Sequence, residues 1–545
     1  MVEQLVVAPV LAALGSLLLA LLLRRWPRAQ RAASVGGILA YALAVGALAW
    51  TVVLAPGAPG AAAYQLGGWP APFGISLVAD ALSAFVLVVC AAVAVPAVAF
   101  SVLFVDPDNQ RVYYHLLFHC LVLGVTGAVL TGDLFNLFVW FEVMLMASYV
   151  FVAFYGDAQH TAAGFRYLAL NVVGSVTLLL AVGGLYAVTG TLNLADMSRR
   201  LADPAAYGVD PAPVVGLAAL AFVTFGLKAG LVPFQFWVPG AYRAAPLPVA
   251  AMLAGVTKKV GLYAIVRLYF TVFAGASVPG AAGDVFTGLA GDAPLAFFAP
   301  VLVAAGVASI FVGGLGAIVR DTLEETLAYS SIGQVGFVAV PVGVAAATQS
   351  PGLRRFAVAA ALVYALHHAL AKGLLFLATA AVRSATGTGH VADLGGLAGR
   401  APVLAGAFFV ASTSLVGIPP LTGFFGKFLV FDATVRQFAA SSGVATGALV
   451  LAVVAGAVLT ILYTTRLWTR AFWGERSPAV ETAEVDGRQV AVLAALAAAI
   501  VVLGAGFDPV FEFADAAAGA ALDRGAYVEA VDPAAVADSA GGGGS

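Results

Sequence analysis

Charge is what this sequence has least of. Asp, Glu, Lys and Arg together make up 10% of its 545 residues. A soluble globular chain carries about 25%. Soluble proteins need a polar skin, and this composition cannot supply one over 545 residues. A water-soluble enzyme, a nucleic-acid binder and a disordered scaffold are therefore excluded. The net charge of −2 leaves no basic footprint for nucleic acid either. Cysteine is nearly absent: Cys90 and Cys120 both sit in apolar runs, with no disulfide framework or metal-ligand spacing. No Walker loop, Rossmann glycine fingerprint or metal-cluster set occurs. No cofactor and no metal is expected, so energy must come from an ion gradient or a partner subunit. Lysine is scarce in an informative way. Of the 26 Lys and Arg residues only five are lysine, and all five lie inside apolar stretches: Lys228, Lys258, Lys259, Lys372 and Lys427.

What is abundant is apolar length. The chain is 62% hydrophobic with a mean hydropathy of +1.00. A spanning helix needs about 20 apolar residues. Fourteen such runs are legible: 3–23, 34–54, 76–104, 113–131, 134–155, 165–188, 213–233, 247–274, 295–318, 327–347, 357–382, 402–431, 445–472 and 489–507. The first lacks a positive leading segment, and arginines follow it instead, so it reads as a span rather than a cleaved signal. Two runs are interrupted by Gly and Pro: Phe225–Pro233 in the seventh and Leu415–Lys427 in the twelfth. In lipid the backbone groups freed by such breaks must be met by protein or by a wet cavity. Matched broken helices point to a transporter built from two repeats. Five spans separate the breaks, and an odd shift inverts one repeat relative to the other. The expected fold is an all-α polytopic membrane protein of about 14 transmembrane helices, with two inverted five-helix repeats and two broken helices. Residues 1–523 form one membrane domain, with a first repeat over 113–274 and a second over 295–472. Residues 524–545 read as a tail ending in a linker-like Gly541–Ser545.

Arginine sets the orientation. Fourteen of the 21 arginines, from Arg24 to Arg488 and including Arg111, fall in loops on one side. Six lie on the other (Arg199, Arg200, Arg354, Arg355, Arg436 and Arg524), and Arg267 lies within a span. The positive-inside rule makes the arginine-rich side cytoplasmic and places both termini outside.

The buried charges carry the chemistry. A charge at mid-bilayer costs about 2.5–3.5 kcal/mol on insertion scales, so lysines kept there need a purpose or a partner. Lysine gives up its proton readily on desolvation, whereas arginine does not. Glu142, in the middle of the fifth run, is placed to modulate a nearby lysine. Lys258 and Lys259 are adjacent and about 100° apart on a helix, so one should line the polar path while the other snorkels or pairs with a neighbour. His367, His368 and Lys372 share the eleventh run, with His368 and Lys372 on one face. Lys427 follows the second break, where freed carbonyls can solvate it. Asp80 and Asp133 read as caps or anchors at span ends. His115 and His119 share a face but have no third ligand.

Several motifs resemble the antiporter-like subunits of respiratory complex I. They are Asn136–Glu142, Lys228 before Pro233–Gly240, Ala245–Pro248 leading to Lys259–Tyr263, Tyr329–Gly336, and Gly423–Lys427. Phe141–Tyr149 and Trp237–Tyr242 make the chain look most like the D-type subunits of Mrp-type multisubunit sodium/proton antiporters. The resemblance spans residues 75–475. It implies that Glu142 and Lys228 pair at the head of a proton path. It also implies that Lys259 rather than Lys258 is the eighth-helix carrier. His368 and Lys372, with His367 beside them, would link two half-channels, and Lys427 would end the path. Gln334 stands where some relatives have histidine, so a relay there must use water. Implied partners are other subunits of a membrane antiporter complex, protons, sodium and the lipid of a cell membrane. The implied function is secondary transport rather than enzymatic catalysis. The alternative is a proton-pumping subunit of a complex I-like or hydrogenase-linked redox complex.

Overall fold

The computed structural model describes residues 2–105, 113–155, 158–276 and 298–533. Arg111 and the Gly541–Ser545 end lie outside the described residues. Helices underlie all fourteen apolar runs. Among the described residues, twelve are long and apolar enough to cross a membrane, and Tyr114–Leu130 and Pro402–Val416 are shorter apolar helices. The chain is a multi-pass membrane protein.

Burial sorts the helices into a centre and a rim. The hydropathic windows of Leu247–Gly275, Leu323–Ala347 and Pro351–Thr386 are 94–100% buried inside the protein, whereas Val2–Leu22, Val444–Phe472 and Gly487–Ala505 are 28–33% buried. A helix hydrophobic all round can face lipid. One carrying polar groups must be walled in. The three central segments hold Lys258, Lys259, Gln334, His367, His368 and Lys372.

Both interrupted runs are broken helices. Ala212–Ala229 stops at Gly230, whose φ of 67° is left-handed, and a short helix Trp237–Ala244 follows. Pro402–Val416 stops at Gly417, with φ 95°, and Thr422–Ala440 resumes the chain. Each stop is the ordinary helix ending in which a glycine takes a conformation costly for other residues.

Three features depart from the expectation. The third run does not begin as helix. Ser76–Asp80 is a strand paired antiparallel with Ala61–Gln65, the one sheet among the described residues, and the helix is Ala81–Phe104. Asp80 sets the start, because its Oδ1 accepts from the Ser83 N–H (2.9 Å) while its own N–H donates to Ser83 Oγ (2.8 Å). Secondly, the first residues of the supposed tail are structured. Arg524–Val531 is a helix whose Tyr527 ring lies 4.7 Å from the Arg267 guanidinium. Finally, Asp508–Leu522 is a further helix, packed through Phe513 on Phe85 (5.2 Å).

Asp133 caps the Leu134–Phe154 helix as expected, accepting from the Asn136 N–H at 2.7 Å. Asp80 does more than cap. It receives two bonds from Arg267 Nη2, at 2.7 and 2.6 Å, and both residues are buried. Removing one partner of such a pair strands a charge in a low dielectric, at a cost of about 3–5 kcal/mol. Asp80→Ala is therefore expected to lower the thermal unfolding midpoint of the detergent-solubilised protein clearly. An unchanged midpoint would show that the pair adds nothing to the fold.

Two matching backbone junctions hold helix starts to later loops. Asp133 and Asn193 form an isolated antiparallel bridge, with Leu134 N–H on Leu192 O (2.8 Å) and Leu194 N–H on Gly132 O (2.8 Å). Thr322 and His390 form the other, with Leu323 N–H on Gly389 O (2.9 Å) and Val391 N–H on Asp321 O (2.8 Å).

Candidate functional site

Glu142 is half-buried on the Leu134–Phe154 helix, and its Oε1 accepts a short hydrogen bond from Ser175 Oγ of the Ala158–Thr189 helix. Lys228 is buried near the end of the Ala212–Ala229 helix. Its Nζ donates to Tyr167 Oη at 3.4 Å and lies 6.0 Å from the Trp237 ring. Tyr167 is itself fixed by Ser148 (2.9 Å) and by packing on Trp237 (4.9 Å between rings). Glu142 and Lys228 thus each hold a neutral partner, and no ion pair joins them among the described residues.

The two adjacent lysines follow a π-helical segment, Leu253–Thr257. Lys259 Nζ donates to Ala254 O at 2.7 Å and lies 2.7 Å from His368 Nδ1. Lys258 does not snorkel. It is fully buried, with Nζ 3.5 Å from Ser331 O and 5.6 Å from the Tyr242 ring. Both lysines therefore face the interior, in different directions.

Lys372 donates to Leu327 O (3.0 Å) and Ser330 Oγ (2.7 Å). Ser330 hands the chain on to Tyr463 Oη at 2.7 Å. Gln334 Nε2 donates to the same Tyr463 oxygen (3.1 Å) and to Thr460 Oγ1 (3.2 Å), and its Oε1 accepts a short bond from Tyr364. An amide cannot titrate, but here it ties three hydroxyls into one network. His367 Nδ1 lies 3.2 Å from Ser414 Oγ and 3.5 Å from Thr422 Oγ1, one on each side of the second break. Lys427 Nζ donates to Val416 O at 3.0 Å, a carbonyl left free where that helix stops.

The structure thus brings Lys259, His368, Lys372, His367 and Lys427 into one buried zone between the two breaks, with Lys228 and Glu142 at its other end. Sequence reasoning missed the hydroxyls around them: Tyr167, Ser175, Ser330, Tyr364, Ser414, Thr460 and Tyr463. Ser, Thr and Tyr are common in spans, so no signal singles them out. His115 and His119 lie off this zone, both held by Ser34 Oγ (3.1 and 2.9 Å). Among the described residues no cluster of three His, Cys, Asp or Glu could hold a metal.

Chemically, the zone is a row of amines, imidazoles and hydroxyls with few fixed negative charges. It can bind and pass protons. It offers no nucleophile–base pair and no phosphate cradle.

The family model described as "NADH:quinone oxidoreductase/Mrp antiporter, TM" matches residues 131–460, which include both breaks and every residue from Glu142 to Lys427. The chain belongs to that family. Within the NADH:quinone oxidoreductase/Mrp antiporter family it is similar to the D-type subunit of the Na(+)/H(+) antiporter of Alkalihalophilus pseudofirmus. The two are 33% identical over 469 residues, covering 86% of this chain and 87% of the relative. Its fold is similar to a chain of the Mrp complex from Dietzia sp. DQ12-45-1b, with TM-score 0.80 and 27% identity over 97% of this chain and 99% of that one. It is also similar to a chain of the membrane-bound sulfane sulfur reductase, an archaeal respiratory membrane complex, with TM-score 0.82 and 26% identity over 97% and 100%. Family membership and the fold agree with the resemblance read from the motifs.

Proposed function

We propose that this chain is a proton-translocating subunit of a multisubunit sodium/proton antiporter in the plasma membrane, working with other membrane subunits. The observation that carries the reading is the series of buried amines and imidazoles between two broken helices. The names of the relatives point the same way. Secondary transport needs no chemical step, which suits a site without catalytic nucleophile or cofactor cradle.

The geometry suggests how a proton moves. Lys259 and His368 share one hydrogen between Nζ and Nδ1 at 2.7 Å. An imidazole that takes a proton at Nδ1 releases one from Nε2, and His368 Nε2 is buried with no protein partner among the described residues. Charge arriving at one amine raises the cost of charge at the next by Coulomb repulsion in low dielectric. Occupancy therefore propagates along the row from Lys228 through Lys259 and His368 to Lys372 and Lys427, with His367 beside the second break.

If Lys259 and His368 act as a unit, their effects will not add. Lys259→Ala, His368→Ala and the double variant should all lower antiport to the same degree. Proton flux in vesicles, measured as a double-mutant cycle, checks this. Additive losses would separate the two residues.

The inverted-repeat reading, 113–274 and 295–472, is supported by the matching junctions. Asp133–Asn193 precedes the break at Gly230, and Thr322–His390 precedes the break at Gly417. Each ties the start of one helix to the loop after the next. With fourteen spans the two junctions lie on opposite membrane faces, the arginine-rich side is cytoplasmic, and both termini are outside.

A redox-driven pump is the second reading, favoured by the likeness to the sulfane sulfur reductase chain. Purification of the intact assembly separates the two. Sodium-dependent collapse of a proton gradient in its vesicles, without flavin or iron–sulfur absorbance, supports the antiporter. Redox centres in the assembly and no sodium response would support the pump.

A further inference from the structure

Lys258 is the one buried lysine to which the motifs assign no task, yet the structure gives it a prepared setting. Four observations bear on it. Among the described residues its Nζ makes one hydrogen bond, a long one of 3.5 Å to Ser331 O. The two residues it contacts, Tyr242 and Ser331, each carry a buried hydroxyl with no hydrogen-bond partner among the described residues. Buried hydroxyls without protein partners are rare, because each forfeits a bond available in water. Two of them around one amine mark a place where water completes the polar shell.

The third observation is the room left at the first break. A Cβ on Gly230 would lie 2.7 Å from Lys258 Cε and 3.1 Å from its Nζ, so the broken helix leaves the amine its space. Lys228 is two residues before that glycine. The fourth is the onward link. Ser330, next to Ser331, donates no further toward Lys258 but holds Lys372 Nζ at 2.7 Å. Tyr242 packs on Phe376, one turn beyond Lys372 on the same helix (5.5 Å between rings). Lys258 therefore lies between the first break and Lys372 by a route that bypasses the Lys259–His368 contact. The titratable groups around it are Tyr242 on Trp237–Ala244, Lys259 on its own helix, and His368 and Lys372 on Pro351–Thr386.

We propose that Lys258 is a second proton carrier of the central zone, receiving a proton from the Lys228 side and passing it to Lys372 through water held by Tyr242 and Ser331. The proton leaves the Lys258 ammonium and moves through the water. It is bound by the neutral Lys372 amine, and Lys258 is left neutral until it is reprotonated from Lys228. No other bond changes. This rests on the proton-translocating reading above.

The test uses the assembled complex in vesicles, reading proton flux on sodium addition. Lys258→Arg keeps the positive charge and the donors but cannot release a proton. It should slow antiport as much as Lys258→Gln does, about tenfold, with the remaining flux carried by the Lys259–His368 route. Tyr242→Phe and Ser331→Ala keep the packing and remove only a hydroxyl. Each should slow antiport about tenfold and raise the solvent deuterium isotope effect, since an impaired relay step worth about 1.4 kcal/mol then limits the rate. Lys228→Ala serves as the control for the parent reading. If it abolishes antiport while Lys258→Arg retains it, the proposal on Lys258 is overturned and the reading stands. If Lys228→Ala keeps full antiport, the reading itself fails. Should the Lys258 variants not assemble, wild-type flux in both hydroxyl variants would overturn the proposal, and the expected slowing would support it.

Discussion

Lys228→Ala should abolish antiport while the protein still assembles with its partners. Lys228 stands near the end of a helix that stops at the left-handed Gly230, and among the described residues its amine reaches Tyr167 and the face of Trp237. Alanine removes the carrier and leaves those two rings in place, since each has its own anchor. Tyr167 is held by Ser148, and Trp237 Nε1 donates to Leu227 O at 2.8 Å. A buried charge is thus deleted without stranding an opposite one, because Glu142 is bonded to Ser175 rather than to Lys228. The fold should lose little, whereas loss of a positioned proton-transfer group costs about 100–10,000-fold in rate. Glu142→Ala should also abolish antiport, through the lost field at Lys228. Ser175→Ala, which only frees the carboxylate to reorient, should give a smaller loss. Initial rates of sodium-driven proton efflux, with subunit recovery by affinity purification, decide the matter. Full antiport in either Lys228→Ala or Glu142→Ala would remove both residues from the path.

Gly417→Ala should damage both stability and transport, by way of the second break. Gly417 has φ 95° and ψ 46°, a conformation that side-chain-bearing residues adopt at a cost of about 1–3 kcal/mol. A methyl there would also stand 3.1 Å from Lys427 Cδ. Lys427 would be pushed from Val416 O, the carbonyl that now receives its ammonium at 3.0 Å. Ala does not simply extend the Pro402–Val416 helix, since Pro419 and Pro420 follow immediately and cannot donate to its ladder. The expected results are a lower unfolding midpoint and a rate well below wild type. A midpoint and a rate both equal to wild type would mean that the break tolerates a side chain and does not position Lys427.

The parts of this molecule legible in its sequence are those governed by composition and by local backbone chemistry. Apolar length places a helix under each run, and Gly230 and Gly417 mark where two of them stop. Lysine scarcity picks out Lys228, Lys258, Lys259, Lys372 and Lys427, and the structure buries them all. What stays hidden depends on contacts between distant segments. The Ala61–Gln65 strand is Ala-rich and too short to show a period, and its partner Ser76–Asp80 is buried at every position, so neither alternates. Arg524–Val531 is held by Arg267 and by Gln65, far away in sequence. The facing of Lys258 escapes the sequence for a different reason. The Leu247–Gly275 span is buried inside the protein all round, so no direction from it leads to lipid. Both adjacent lysines can then turn inward, one to Ser331 and one to His368.

The two backbone junctions have a consequence for how the molecule tolerates change. Each is made of amide and carbonyl groups alone, so no exchange of side chains, except to proline, deletes a bond. Four different residue types meet there: Asp133 with Asn193, and Thr322 with His390. Three of their side chains, those of Asp133, Asn193 and Thr322, add helix caps, each worth about 1 kcal/mol. Mutational fragility is therefore unevenly spread. The bonds that hold helix ends in register do not depend on which side chains are present, while those made by the amines and hydroxyls between them depend on nothing else.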